Sequence, residues 1–153
     1  MLILLSPSKK LDTETTLPDV QPTQPPFMDD TEELANSLKN LKENDIKKLM
    51  RVSDNIAALN HQRFQDFTTP FTSNNARPAL FTFKGDVYDK MDVADYSKDD
   101  LHFAQKHVRI LSGLYGMLRP LDLMQPYRLE MGTKFENARG KNLYQFWNGK
   151  ITE

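Results

Sequence analysis

The chain has 153 residues and is 39% hydrophobic, with nine Phe, five Tyr and one Trp, enough apolar mass for the core of one domain. It contains no cysteine, which excludes a disulfide framework and any thiolate metal site. The net charge of −1 points to no partner by itself, and no run approaches the ~20 apolar residues of a membrane span, so the composition reads as that of a soluble cytoplasmic protein. The charge is unevenly spread. Residues 1–100 carry 12 Lys/Arg against 17 Asp/Glu, whereas residues 101–141 carry seven against three, a net of +4. Such asymmetry either marks a face for an anionic partner or is ordinary scatter.

Residues 2–5, Leu-Ile-Leu-Leu, form a short apolar run that ends at Ser6-Pro7 and predicts a buried strand. Ser8, Lys9 and Lys10 follow at its C-terminal end, where open α/β sheets place their ligands. Lys9 and Lys10 are therefore candidate anion contacts, with a solvated loop as the alternative. Residues 12–28 hold Pro18, Pro22, Pro25 and Pro26 and predict an extended surface segment anchored by Leu17, Val20 and Phe27.

The acidic run from Asp29 to Glu33 suits the start of a helix, with Leu34, Leu38 and Leu41 on one face. A second helix begins near Asn44 with Ile46, Leu49 and Met50. A third is capped by Ser53 and turns Ile56, Leu59, Phe64 and Phe67 inward. Lys39, Lys42, Lys47, Lys48 and Arg51 cluster here among Glu43 and Asp45, which reads as a solvated face.

Beyond a loop over residues 68–78, Ala79–Phe83 predicts a second short buried strand. It ends in Lys84-Gly85-Asp86, repeating the pattern of an apolar strand closed by lysine. Gly85 supplies the turn and Asp86 caps the next helix. Lys84 and Asp86 are either a ligand-contacting pair or a solvated lysine beside a capping carboxylate. Ser97 or Asp99 opens a helix through Leu101, Ala104, Val108 and Leu111. It runs into Ser112-Gly113-Leu-Tyr-Gly116, followed by Arg119-Pro120 and Pro126-Tyr127-Arg128. Glycines let a backbone approach a ligand closely, and Arg109, Arg119 and Arg128 bring positive charge beside the turn. The stretch fits either a phosphate-contacting hairpin or a buried turn with solvated arginines. Thr133–Glu136 predicts a strand, and Asn142 opens a helix carrying Leu143, Phe146 and Trp147, with Trp147 as a core anchor. The chain stops within that periodic helix, which suggests that more protein follows.

His102 and His107 are five apart, off the spacing that places two ligands on one helix face, so no metal site is expected. No nucleophile elbow, Walker loop, dinucleotide fingerprint or HExxH occurs. The recurring theme is a cationic side chain beside a turn, at Lys9, Lys84, Arg119 and Arg128. It suits either a nucleic-acid backbone or a phosphorylated small molecule.

Five segments, in order, carry a resemblance to a known family. They are Met1–Asp12, Leu49–Asp54, Phe83–Tyr88, Leu111–Asp122, and Pro126–Met131 together with Gly140–Tyr144 and Phe146-Trp147. In these motifs the chain resembles the YaaA family of bacterial peroxide-stress proteins. The resemblance implies a cytosolic protein that aids survival of hydrogen peroxide, limits iron-driven damage to DNA and binds DNA. It implies one compact, mixed α/β domain of unusual topology, a short central sheet flanked by helices, with a helix-hairpin-helix element over residues 100–124. Family members run to about 250 residues, so residues 1–153 match an N-terminal part.

Two functional readings follow. In the first, Lys9, Lys10, Lys84, Arg109, Gly113, Gly116, Arg119 and Arg128 form one cationic site for the backbone of double-stranded DNA, without catalysis or cofactor, and because such contacts read no bases the sequence specificity is low. In the second, Lys84, Asp86 and Arg128 line the pocket of an enzyme acting on a nucleotide or nucleobase, with Asp86 as acid or base. Direct iron binding would rest on carboxylates alone.

Overall fold

The computed structural model describes residues 1–152 and has a mixed α/β fold. Its first elements are strands β1 (Ile3–Leu5) and β2 (Lys10–Leu11), then helices α1 (Met28–Lys39), α2 (Glu43–Met50) and α3 (Asp54–Asp66). Strands β3 (Arg77–Pro78) and β4 (Phe83–Lys84) and helices α4 (Asp86–Lys90) and α5 (Lys98–His107) follow. The remaining elements are β5 (Val108–Ser112), β6 (Gly116–Leu118), β7 (Leu123–Met124) and α6 (Leu143–Trp147). They form two compact units. One comprises residues 1–26, 69–111 and 117–126; the other comprises residues 27–68, 112–116 and those from 127 onward.

The first unit contains the sheets, apart from Ser112 at the end of β5 and Gly116 at the start of β6, which fall in the second. β1 pairs in parallel with β5, Ile3 opposite Val108 and Leu5 opposite Ile110, and β6 lies on the other side of β5. β2 runs antiparallel to β4 and β3 antiparallel to β7. Val108 and Ile110 are buried, but β1 is not the buried strand that its composition predicts. It forms the edge of its sheet, and Leu2 and Leu4 are each 59% exposed. A four-residue apolar run cannot distinguish a central strand from an edge. Ala79–Phe81 also departs from the predicted strand. Behind Pro78 the chain bends into a single 3₁₀ turn, closed by the Thr82 N–H on the Ala79 carbonyl and the Thr82 hydroxyl on the Pro78 carbonyl. Ala79 and Leu80 remain buried, so burial is as predicted while the backbone shape is not.

The predicted long helix before Ser112 is shorter. Ser97 caps α5 by accepting from the Asp100 N–H, and the Asp100 carboxylate accepts from the Ser97 N–H in return. The helix ends at His107. From Val108 the burial alternates residue by residue, the two-residue period of a strand, and the β-branched Val108 and Ile110 suit it. β5 turns through residues 113–115 into β6, so the helix-hairpin-helix expected over residues 100–124 is replaced there by a helix followed by a strand-turn-strand.

The second unit is helical. α1 buries Leu34, Ala35 and Leu38, and α2 buries Ile46. Ser53 caps α3 as predicted, its hydroxyl accepting from the Ile56 N–H. The buried face of α3 is Ala57, Asn60 and Phe64, whereas Leu59 is 49% exposed rather than inward. Asn142 caps α6 by accepting from the Gln145 N–H. Trp147 is 1% exposed and donates its indole N–H to the Gly113 carbonyl at 2.9 Å, which gives its polar edge a partner within the core. Thr133–Glu136 forms no strand, and the nearest pairing is an isolated bridge between Asn137 and Gly140. Around the start of α1, Asp30 receives Arg139 at 2.7 Å and Lys150 at 2.8 Å, and Arg139 also reaches Glu33. Burial opposes the Asp30 charge, and the hydrogen bonds from Lys150 and Arg139 outweigh it, so its carboxyl stays below the usual carboxylate range.

Candidate anion-binding cleft

At the C-terminal end of β1 the chain passes through Ser6-Pro7-Ser8 and returns as β2. Opposite it, β4 leads through Gly85 into α4. These segments line a cleft of about 550 Å³ in the first unit, with Lys9, Lys10 and Lys84 among its walls. The turn at Gly85 has φ 127° and ψ −179°, a conformation reserved for glycine. A Cβ there would meet the Ser8 hydroxyl at 3.0 Å, so the absence of a side chain also lets the two segments close on each other. The floor is fixed by Tyr88, which is 6% exposed, stacks on Phe83 and donates its hydroxyl to the Ser6 carbonyl at 2.6 Å. Burial raises the Tyr88 phenol above its ordinary pKa, so it stays a neutral donor there.

The electrostatics of the cleft come from one register. Lys10 stands directly opposite Lys84 across the β2–β4 pair. Like charges facing each other across antiparallel strands destabilise the pair. Both lysines are exposed, and no carboxylate among the described residues pairs with either. Asp86 also lines the cleft, as the first residue of α4 rather than its cap, the cap position being Gly85. It is exposed and makes no hydrogen bond or ion pair among the described residues.

The other cationic residues singled out in the sequence lie elsewhere. Arg109, on β5 of the same unit, donates to the carbonyls of Gln105 and Val108 and so closes the end of α5. Arg119 is held by Asp122, with its NH2 group 2.9 Å from the carboxylate, and it also donates to the Gln24 carbonyl. Asp122 is fully buried and takes further hydrogen bonds from the Arg119 N–H and the Thr23 hydroxyl. Gln105 completes this network, donating to Thr23 and accepting from the Leu121 N–H. Nothing in the spacing of Thr23, Gln105 and Asp122 marks them as partners, because the network spans 99 positions of sequence.

Gly113 and Gly116 belong to the second unit. A Cβ on Gly113 would lie 2.2 Å from the Leu129 carbonyl oxygen. One on Gly116, at φ 74°, would lie 2.8 Å from the Trp147 ring. Both glycines therefore make room for a neighbouring backbone and an indole. Arg128 lines a separate cavity of that unit, with Arg51 and Lys134. Of the eight predicted contacts, the structure gathers Lys9, Lys10 and Lys84 around one cleft.

The whole chain, residues 1–153, matches the family model described as peroxide stress protein YaaA. The chain belongs to the YaaA peroxide stress protein family. A UPF0246 protein of Aliivibrio fischeri is 59% identical over 152 residues, covering 99% of this chain and 59% of its own length. One from Saccharophagus degradans is 55% identical over 153 residues, covering 100% and 60%. A third, from Burkholderia orbicola, is 55% identical, covering 99% and 58%. The chain thus spans about three fifths of the length of these relatives. Among the described residues no helix is long and apolar enough to cross a membrane, and no group of three His, Asp or Glu side chains is placed to hold a metal ion.

Proposed function

We propose that this chain contributes a cationic surface for the phosphate backbone of duplex DNA to a protein that protects cells from peroxide. The supporting observation is the cross-strand juxtaposition of Lys10 and Lys84 beside Lys9 at one cleft. Two like charges held opposite each other weaken the fold unless an anion sits between them, and a polyanion is the partner that rewards such an arrangement. Lysines act on phosphate as point charges and read no base edges, so binding is nearly independent of sequence. The same contacts offer a physical route to limiting iron damage. A protein that neutralises phosphates releases the cations condensed on DNA, and ferrous ions are displaced with them.

The test is a salt series of DNA binding by the chain and by its Lys10→Gln and Lys84→Gln variants. Each substitution should weaken binding to unrelated duplexes alike and reduce the slope of log K against log salt by about 0.9 per lost phosphate contact. Strand cleavage by ferrous iron and peroxide should be suppressed by the chain and less so by the variants. Unchanged slopes in both variants would sink the assignment. Binding by a full-length relative but not by this chain would place the DNA site in the remaining two fifths.

A further inference from the structure

The second unit contains a cavity of about 380 Å³ at the C-terminal end of α2, within the range of small-molecule sites. Arg51, Arg128 and Lys134 stand around it against one carboxylate, Glu130. We propose that this cavity is a separate anion site for a small phosphate monoester, independent of the lysine cleft. Three observations lead there.

Arg51 follows the last turn of α2 with φ 56° and ψ 51°, the left-handed conformation that glycine ordinarily supplies at this point of a helix. An arginine tolerated where glycine fits without strain suggests that its side chain is used. Its guanidinium makes no hydrogen bond or ion pair among the described residues.

Arg128 has a side chain only 19% exposed, and its nearest carboxylate oxygen, on Glu130, is 4.0 Å away. Its Nε is buried without a hydrogen-bond partner. A mostly buried guanidinium with one partner at the outer limit of contact retains donor capacity for a ligand.

The walls match a ligand with two characters. Three cations against one carboxylate leave a surplus that a monoester, carrying close to two negative charges at pH 7, would neutralise. Leu49 and Met50 supply apolar surface for the organic part. A built Cβ on Gly132 meets nothing within 4 Å, so the rim is open on that side.

The experiment titrates the 153-residue chain with phenyl phosphate, inorganic phosphate and chloride, followed by amide NMR shifts and calorimetry. Saturable binding of phenyl phosphate should move the amides of Arg51, Gly132 and Thr133, with inorganic phosphate weaker and chloride inert. Arg128→Met and Arg51→Gly should each weaken phenyl phosphate by about tenfold or more, the loss expected for a charge-assisted contact. Arg51→Gly should at the same time raise the melting temperature, because glycine relieves the left-handed strain, so its lost binding cannot be misfolding. Exposed Lys134→Gln should weaken binding severalfold, and Lys10→Gln and Lys84→Gln should leave it unchanged. No saturable binding, or wild-type affinity in Arg51→Gly, would overturn the proposal. So would displacement of phenyl phosphate by a short DNA duplex, which would make the cavity a backbone contact of nucleic acid. Because the lysine variants are read in the same titration, failure of this site and failure of the DNA reading remain distinguishable.

Discussion

Replacing Arg119 by alanine separates a structural arginine from a phosphate contact. Its guanidinium is about one-third exposed and faces a carboxylate that is fully buried. Removing one partner of a buried ion pair costs about 3–5 kcal/mol when the remaining charge is left uncompensated. Asp122 would keep two donors, the Thr23 hydroxyl at 2.6 Å and the residue-119 N–H at 2.6 Å, which neither substitution nor solvent removes. Arg119 is also partly solvated, which lowers the net worth of the pair. The loss should therefore fall near 2–3 kcal/mol, including the hydrogen bond to the Gln24 carbonyl. For a chain of this size that lowers the melting temperature by about 5–10 °C. Urea denaturation followed by circular dichroism measures the first quantity and a thermal scan the second. The salt slope of DNA binding, measured on the folded variant, should match that of the parent chain. A variant of parental stability whose salt slope falls by about one would show that Arg119 contacts phosphate, and the structural assignment would be wrong.

Three further outcomes are expected. Gly113→Ala places a Cβ 2.2 Å from the backbone carbonyl oxygen of Leu129, so it should cost about 3 kcal/mol or more, read by urea denaturation. Gly116→Ala adds left-handed strain at φ 74° to a clash with Trp147 and should quench or shift the fluorescence of that single tryptophan. At acid pH, Asp12 is the group to follow. Hydrogen bonds from the Thr15 side chain and from the N–H groups of Thr15 and Glu14 hold its carboxyl at about 2, below the ordinary 3.8. A depressed folded pKa stabilises the fold above the unfolded value and loses that contribution as pH falls through the folded one. Asp12→Asn should therefore be less stable by about 1 kcal/mol at neutral pH, with the difference vanishing between about pH 4 and pH 2. A difference independent of pH would exclude the carboxylate as its source.

Features set by local chemistry are legible in one dimension. Ser53 and Asn142 cap their helices because an oxygen one or two atoms from the backbone can reach the N–H groups of the first turn, and of the two candidates Ser97 and Asp99 the structure selects Ser97. Lysine followed by glycine at the end of an apolar run marked Lys84 and Gly85 as a turn carrying charge. The family motifs spread over the whole length identified the relatives. Features that depend on distant parts of the chain needed tertiary structure. Val108–Ser112 satisfies a helical period and a strand period equally in one dimension, and its parallel pairing with Ile3–Leu5 makes it a strand. That pairing brings together residues more than a hundred positions apart, which a local window cannot weigh. Arg119 and Lys84 look alike as cations beside turns, yet one is neutralised by buried Asp122 while the other faces Lys10. Burial and register decide which charge is used inside the fold, and neither is a property of sequence spacing.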